Sequence, residues 1–248
     1  MEESGSLIAK LQRRTLEMLD ARLLRYYVAM QGTVLNEERR LDLLASFKEE
    51  LLEKQQEVVL LVGDSGAGKT WFGQYLAQAL AEITDEETPI ILWIPLLSID
   101  NPSKNLLMKH LLFNLKLNQE EIVEIEHQRK RIIMVLDGYD ELNIDTNLYQ
   151  TNQWDQWGGG GRIQVVVTCR REALQGDVQA HRSQFIGSSA QRLSIYEASA
   201  FDEIQIEAAV SAYVGQEERE WGFEKYLSVL RSIPELKPFL SRPFILRL

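Results

Sequence analysis

The strongest constraint on the fold of this chain is one stretch of eight residues, Gly63-Asp64-Ser65-Gly66-Ala67-Gly68-Lys69-Thr70. A short apolar run, residues 58–62, precedes it and is typical of a buried parallel strand. Apolar residues then recur at helical spacing as far as Leu80. A Gly-x-x-x-x-Gly-Lys-Thr pattern between a strand and a helix predicts a phosphate-binding loop, because its glycines let backbone N–H groups surround an anion.

The motif assigns roles to its side chains. The N-terminus of the following helix favours anions, so phosphate groups are expected at this turn. Lys69 would reach the outer phosphates, and the Thr70 hydroxyl would ligate Mg²⁺. The expected nucleotide-binding positions are Gly63, Asp64, Ser65, Gly66, Ala67, Gly68, Lys69, Thr70 and Trp71. The alternative is a glycine-rich turn with an incidental lysine.

Composition limits the class of partner. The net charge is −10, which argues against nucleic acid or an anionic membrane as the main partner. Cys169 is the one cysteine, so no intrachain disulfide is possible, and a reducing, cytoplasmic setting is expected. Cys169 itself is expected to be a small buried residue. No apolar run approaches the roughly 20 residues that a membrane-spanning helix needs.

Further apolar runs predict the rest of a sheet. They are residues 90–94, 131–136, 163–167 and 192–196. With residues 58–62 they predict an α/β fold of the P-loop NTPase type, in which a five-stranded parallel sheet carries helices on both faces. The helical pattern that begins after residue 199 predicts a small C-terminal all-helical lobe.

We divide the chain into N-terminal helices leading into the core (residues 1–54), a P-loop nucleotide-binding domain (55–198) and the helical lobe (199–248). Within the first part, residues 33–35 are expected to be a linker, and a helix is expected to start near Asn36. The polar, glycine-rich residues 143–162 are expected to be a flexible loop. Because the chain stops inside an apolar run, we expect it to be a fragment of a longer protein.

An acidic cluster, Asp137-Gly138-Tyr139-Asp140-Glu141, follows the predicted third strand. Ligands bind at the carboxyl ends of strands in open α/β sheets. Asp137 is expected to hold Mg²⁺ through water, and either Asp140 or Glu141 would deprotonate the water that attacks a γ-phosphate. The alternative is three solvated carboxylates in a loop.

Arg170 follows the predicted fourth strand. An arginine at this place would face the γ-phosphate and sense its presence. The alternative is an arginine on the protein surface.

Several of these stretches resemble one family. Leu136-Asp137-Gly138-Tyr139-Asp140-Glu141-Leu142 resembles the extended Walker B motif of NACHT-domain proteins, which belong to the STAND class of signalling ATPases. Residues 166–170 resemble their sensor-one strand. Arg242-Pro243-Phe244-Ile245-Leu246 resembles the end of their helical lobe, where a proline backs the adenine, so the resemblance makes Pro243 a nucleotide contact. The resemblance covers roughly residues 33–248.

The resemblance implies a signalling switch. ADP would hold a closed, inactive monomer, and exchange for ATP with Mg²⁺ would open it and permit self-association or binding of protein partners. Hydrolysis would be slow, and the chain would be part of a larger sensor or defence protein, acting in signal transduction or innate immunity.

Two other functions are compatible with a P-loop. One is a phosphotransferase such as a small-molecule kinase. The second acidic group argues against it, because that group is better suited to activating water as the acceptor of the phosphoryl group. The other is a nucleotide-binding scaffold with negligible hydrolysis, which the intact Lys69, Thr70, Asp137 and Glu141 disfavour. A GTPase would carry Asn-Lys-x-Asp or Thr-Lys-x-Asp after a late strand, and the sequence has neither. Adenine is therefore the expected base.

Overall fold

The computed structural model describes residues 6–83, 89–142, 146–159, 162–174, 182–187, 192–216, 222–233 and 237–243. The apolar run that begins at residue 244, and Gly160 and Gly161 of the glycine tract, lie outside these ranges.

Within the described residues, seven strands form one sheet. They are β1 (Gln31–Val34), β2 (Leu41–Asp42), β3 (Val58–Gly63), β4 (Ile90–Pro95), β5 (Ile132–Asp137), β6 (Ile163–Arg170) and β7 (Leu193–Ala198). The order is β2-β1-β7-β3-β6-β5-β4. The last five in this order are mutually parallel and are the five predicted strands, each with slightly different bounds.

The predicted strand count is two too low. β1 pairs antiparallel with both β2 and β7, so it extends the sheet beyond its parallel part. The prediction of a linker at residues 33–35 is wrong, since Thr33 and Val34 pair with Glu197 and Tyr196. Gly32 permits this pairing, because a Cβ there would lie 2.5 Å from the backbone oxygen of Glu197.

The helix predicted from Asn36 begins later than expected. Asn36 has a φ of +68° and lies in a turn between β1 and β2. The helix starts at Leu43, and Asp42 caps it by accepting a hydrogen bond from the Ala45 N–H at 2.8 Å. Asn36 therefore lies in a turn and does not cap a helix; Asn is as well suited to turns as to the capping position of a helix.

The α-helices cover both faces of the sheet and form the lobe. They are α1 (Leu7–Glu17), α2 (Ala21–Arg25), α3 (Leu43–Lys48), α4 (Lys69–Ala81), α5 (Leu106–Lys109), α6 (Gln119–His127), α7 (Leu148–Thr151), α8 (Glu203–Gln216), α9 (Phe223–Ser232) and α10 (Lys237–Leu240). The π-helical turns Glu49–Glu53 and His110–Asn114 continue α3 and α5. Short 3₁₀ helices are Leu96–Ser98, Tyr139–Leu142, Trp154–Gly159 and Arg171–Leu174.

The described part of residues 143–162 is structured, so the flexible-loop prediction is wrong there. α7 and the 3₁₀ helix that starts at Trp154 occupy it. Trp154 is 2% exposed and packs edge-on against Tyr149, with ring centroids 5.5 Å apart. The polar composition of this stretch led to the wrong prediction, because burial of the Trp154 side chain alone removes a large apolar surface from water.

The core forms two layers, one on each face of the sheet. Val58, Leu60 and Val62 of β3 belong to one layer, and Val59 and Leu61 belong to the other. This division follows from the alternation of side chains along a strand. Because β3 is buried on both faces, its sequence is apolar throughout, and the predicted placement of helices on both faces is confirmed.

The helical lobe is attached to the rest of the chain by specific contacts. The Phe201 N–H donates to the Ser241 backbone oxygen at 2.8 Å. Gln205 Nε2 donates to the Ala29 backbone oxygen at 2.7 Å. Tyr26 and Tyr213 contact each other with ring centroids 6.1 Å apart. The N-terminal segment before β1 therefore lies against α8 of the lobe.

Candidate nucleotide-binding site

The loop between β3 and α4 has the backbone that its glycines require. Gly66 and Gly68 have φ values of +80° and +84°, in the left-handed region that favours glycine. A Cβ on Gly68 would also lie 3.1 Å from Pro243 and 3.2 Å from the Met30 sulfur. Backbone conformation and close packing therefore both demand glycine at position 68.

Lys69 lies at the start of α4 and its side chain folds back along the loop. Its Nζ donates to the backbone oxygens of Gly63 and Asp64, at 2.7 and 2.9 Å. Burial lowers the pKa of Lys69, and the nearby charge of Asp140 opposes this shift. The ammonium group is thus held at the centre of the loop.

Asp137 ends β5 and faces the start of α4. Thr168 of β6 donates from its hydroxyl to Asp137 Oδ1 at 2.6 Å and accepts from the Gly138 N–H at 3.0 Å. Burial raises the pKa of Asp137, while hydrogen bonds from Thr168 and Thr70 oppose the shift. The hydroxyl of Thr70 and the carboxylate of Asp137 are therefore neighbours, as the predicted metal site requires.

Asp140 and Glu141 lie in different environments although they are adjacent in sequence. The Asp140 side chain is 8% exposed. Its Oδ1 accepts a hydrogen bond from the Arg170 backbone N–H at 2.8 Å, and its Oδ2 forms an ion pair with Arg170 Nε at 3.0 Å. The Glu141 side chain is 42% exposed, and its Oε1 lies 3.8 Å from Arg170 Nη2. Arg170 is therefore the link between both carboxylates and the end of β6.

These groups surround one cavity of about 450 Å³. The predicted residues that line it are Ser65, Gly66, Gly68, Lys69, Thr70, Trp71, Asp137, Asp140, Glu141, Arg170 and Pro243. Three other predicted residues do not line it: Gly63 ends β3 behind the loop, and Asp64 and Ala67 line an adjoining cavity. The structure thus brings most of the predicted site residues together.

Four further residues line the cavity and were not predicted as site residues: Leu23, Gly138, Thr168 and Arg242. Thr168 could have been predicted as a site residue, since it is a polar residue at the end of an apolar strand. Leu23 could not have been predicted, because its place depends on a contact with Trp71, which is far away in the sequence.

The cavity has an apolar part formed by Leu23, Trp71 and Pro243. The Trp71 indole N–H donates to the Leu23 backbone oxygen. Tyr27 packs edge-on against Trp71, with ring centroids 5.9 Å apart. An apolar part next to a polar, cation-bearing part is suited to a ligand that has a flat ring at one end and phosphates at the other.

The donor set fits Mg²⁺. A hydroxyl and a carboxylate supply hard oxygen ligands, and Mg²⁺ typically uses one or two carboxylates together with water and phosphate oxygens. Across the described part of the chain, no group of three His, Cys, Asp or Glu side chains forms a metal site of its own. In the same residues, no helix is long and apolar enough to cross a membrane.

The parallel sheet, the glycine loop between β3 and α4, and the acidic end of β5 define the chain as a P-loop NTPase. The model of the NACHT domain family matches residues 57–215, more than half of the chain. The chain therefore belongs to the NACHT family, and nucleotide binding is implied by that membership. A search of curated proteins found no match.

Solved structures that are similar to this chain have low sequence identity to it. A RuvB variant of Thermotoga maritima is 17% identical with a TM-score of 0.44, over 82% of this chain and 58% of that one. The T. maritima RuvB Holliday junction branch migration motor is 17% identical with a TM-score of 0.38, over 70% and 48%. A Walker-type ATPase of Pyrococcus abyssi is 11% identical with a TM-score of 0.44, over 88% and 69%. The chain spans about half the length of the RuvB chains.

Proposed function

We propose that this NACHT domain binds ATP and ADP with Mg²⁺, hydrolyses ATP slowly, and uses the bound nucleotide to control its conformation and its self-association or binding of protein partners. We place it in the cytoplasm, as a module of a larger sensor or defence protein. One observation carries the proposal. Pro243 of the lobe packs against Gly68 of the phosphate loop, so lobe and catalytic groups border the same cavity.

Phosphate binding is supported by the loop geometry. Ser65, Gly66 and Gly68 line the cavity next to the N-terminus of α4, which begins at Lys69. Lys69 would exchange its two backbone acceptors for phosphate oxygens, which offer a full negative charge. Adenine is supported by the apolar part of the cavity, where Pro243 would lie against the base.

Thr70 and Asp137 would hold Mg²⁺, Asp137 through water, and the ion when bound neutralises charge on the outer phosphates. Thr168 fixes the Asp137 carboxylate by its hydrogen bond at 2.6 Å. A bound cation would also favour the ionised form of Asp137, which burial disfavours.

Glu141 is our choice for the base that activates water. Asp140 Oδ1 accepts a hydrogen bond from the Arg170 backbone N–H, and Asp140 Oδ2 forms an ion pair with the Arg170 guanidinium, so both oxygens of that carboxylate already have a partner. Glu141 is more exposed and lies on the cavity wall, where it can accept a proton from a water molecule. Arg170 would sense the γ-phosphate, but it must first leave two carboxylates, which is consistent with slow turnover.

The experiment that tests this proposal is a nucleotide census. The purified chain is denatured, and the released nucleotides are identified and counted by chromatography. Lys69→Ala is the matched variant, because it removes the central cation of the loop and leaves the apolar part of the cavity intact. We expect stoichiometric adenine nucleotide, mainly ADP, from the wild type and none from the variant.

Other results would contradict parts of the proposal. Guanine nucleotide would overturn the choice of base. An empty wild type that turns ATP over rapidly would favour an ordinary enzyme over a switch. Equal nucleotide content in wild type and Lys69→Ala would remove the phosphate loop from the binding site.

A further inference from the structure

Arg242 lies in the turn after α10, and the backbone on both sides of it is fixed. The Ser241 backbone oxygen accepts from the Phe201 N–H at 2.8 Å. Pro243 is buried and contacts Gly68, since a Cβ on that glycine would lie 3.1 Å from the proline Cβ. The Arg242 N–H donates to the Phe239 oxygen at 3.0 Å. Arg242 is therefore held beside the phosphate loop by residues of the lobe and the loop.

The cationic side chains around the cavity differ in their partners. Among the residues that the structure describes, Lys69, Arg170 and Arg242 line the cavity. Lys69 donates to two backbone oxygens, and Arg170 contacts two carboxylates. Arg242 is exposed, and no carboxylate of the described residues lies within 4 Å of its guanidinium. Its guanidinium thus differs from Lys69, which donates to backbone oxygens, and from Arg170, which contacts carboxylates.

An arginine without a carboxylate partner at the edge of an anion-binding cavity suits a phosphate. The guanidinium presents paired N–H donors that match two phosphate oxygens, and it is always charged. Asp140 and Glu141 lie beside Arg170 in the structure, and Asp137 would hold Mg²⁺ in the proposed function. Arg242 is free to serve the nucleotide.

We propose that Arg242 binds the phosphate groups of the nucleotide and thereby ties the helical lobe to the phosphate loop. This inference rests on the proposed function, because it needs a nucleotide in the cavity. It adds a second lobe contact whose chemistry differs from that of Pro243: the proline touches the base, and the arginine touches the phosphates. The lobe then responds to the phosphate chain itself.

Arg242 also borders the adjoining cavity, which Arg40, Asp64 and Glu197 line as well. This gives a matched control. Arg40 is partly exposed, lines only that second cavity, and lies 3.8 Å from its partner Asp202. An Arg40→Gln substitution removes the same charge from nearly the same place without touching the first cavity.

The test compares the affinities of Mg-ADP and adenosine for wild type, Arg242→Gln, Arg242→Lys and Arg40→Gln, by competition with a fluorescent ADP analogue. We expect Arg242→Gln to weaken Mg-ADP about tenfold to hundredfold, the usual effect of losing a charge-assisted hydrogen bond. Adenosine affinity should stay within about twofold, since adenosine has no phosphate. Arg242→Lys should show a smaller loss, and Arg40→Gln should show none.

Each other outcome has one meaning. If the wild type binds Mg-ADP and Arg242→Gln binds it equally well, the inference fails and the proposed function stands. An equal loss for Mg-ADP and adenosine would mean that Arg242 acts on the base or on the fold, which also overturns it. The same loss of Mg-ADP affinity in Arg40→Gln would mean that the general surface charge causes the effect, which overturns the inference as well. A wild type that does not bind Mg-ADP would overturn the proposed function itself.

Discussion

At the scale of single residues, the two carboxylates after β5 have the same charge and different surroundings. The Asp140 side chain is almost fully buried, with one oxygen hydrogen-bonded to the Arg170 N–H and the other ion-paired with the Arg170 guanidinium, whereas the Glu141 side chain is nearly half exposed. A buried charge that loses its partner destabilises the fold, whereas an exposed carboxylate contributes little. The two residues should therefore separate into one that stabilises the site and one that performs chemistry.

Substitution of each by its amide tests this division. We expect Glu141→Gln to slow ATP hydrolysis by about 10²–10⁴-fold with unchanged nucleotide affinity, because it removes a general base. Asp140→Asn should lower the free energy of unfolding by about 1–3 kcal/mol, since Arg170 loses a charged acceptor. Single-turnover hydrolysis and urea unfolding measure the two effects. If Asp140→Asn is the slow variant and remains stable, Asp140 is the base instead.

His110 is a buried titratable residue away from the cavity. It is 0% exposed, and neither ring nitrogen has a hydrogen-bond partner among the described residues. Burial lowers the pKa of His110 to about 4.

The pKa of His110 predicts how stability changes with pH. The unfolded chain binds a proton to His110 below about pH 6.5, whereas the folded chain binds one only near pH 4. The free energy of unfolding therefore decreases as the pH falls through this window. The loss should reach roughly 3 kcal/mol at its lower end. His110→Leu should remove this component. Urea unfolding of both proteins at pH 5 and pH 7.5 measures it, and parallel pH profiles would contradict it.

At the scale of elements, α4 connects the phosphate loop to the N-terminal segment. Gln74 accepts from the Asp20 N–H at 2.7 Å. Tyr75 stacks on Tyr27, with ring centroids 3.7 Å apart and planes at 12°. Together with the hydrogen bond from Trp71 to Leu23, these contacts fix the segment along one side of the helix.

Trp71→Phe should weaken this connection, because phenylalanine has no N–H to donate to Leu23. Trp93→Phe is a matched control: each tryptophan is 8% exposed, but Trp93 Nε1 has no partner among the described residues. We expect Trp71→Phe to cost about 1 kcal/mol more than Trp93→Phe in the free energy of unfolding without nucleotide. Chemical denaturation of both variants measures the difference. Equal costs would show that the indole hydrogen bond contributes nothing.

The elements also show what could be predicted from the sequence. The five parallel strands were predictable because strands buried on both faces are continuous apolar runs. β1 was not, since it contains Gln31 and Gly32, its side chains are mostly half-buried, and β7 supplies its pairing from far along the chain. The domain boundaries remain predictions.

In the candidate site, too, residues in local sequence patterns were predictable and residues placed by distant contacts were not. Residues in local motifs, such as Lys69, Asp137 and Arg170, could be found because strand ends meet at one edge of a parallel sheet. Leu23 and Arg242 could not, because their places depend on packing between distant segments. Sequence order also left Asp140 and Glu141 equivalent, and only burial distinguished them.

At the scale of the whole molecule, the sheet and the lobe share one cavity, so a ligand there should stabilise both. We expect Mg-ADP at 100 times its dissociation constant to raise the free energy of unfolding by about 2.7 kcal/mol. Hydrogen exchange should slow in α4 and in the turn around Ser241 and Phe201, because that turn holds Arg242 and Pro243. Mass spectrometry locates the protected amides. Protection confined to the sheet would mean that the lobe does not respond to the nucleotide.

The contact between Gly68 and Pro243 also bears on how the protein is made. A ribosome adds about 5–20 residues each second, so Pro243 emerges on the order of ten seconds after the phosphate loop. β1 can pair with β2 early, but it must wait for β7 before it can join the parallel part of the sheet. A nascent chain therefore presents an open phosphate loop for the whole of that interval and a detached β1–β2 segment until β7 has been made. The nucleotide cavity is enclosed only when nearly all of the described chain has been synthesised.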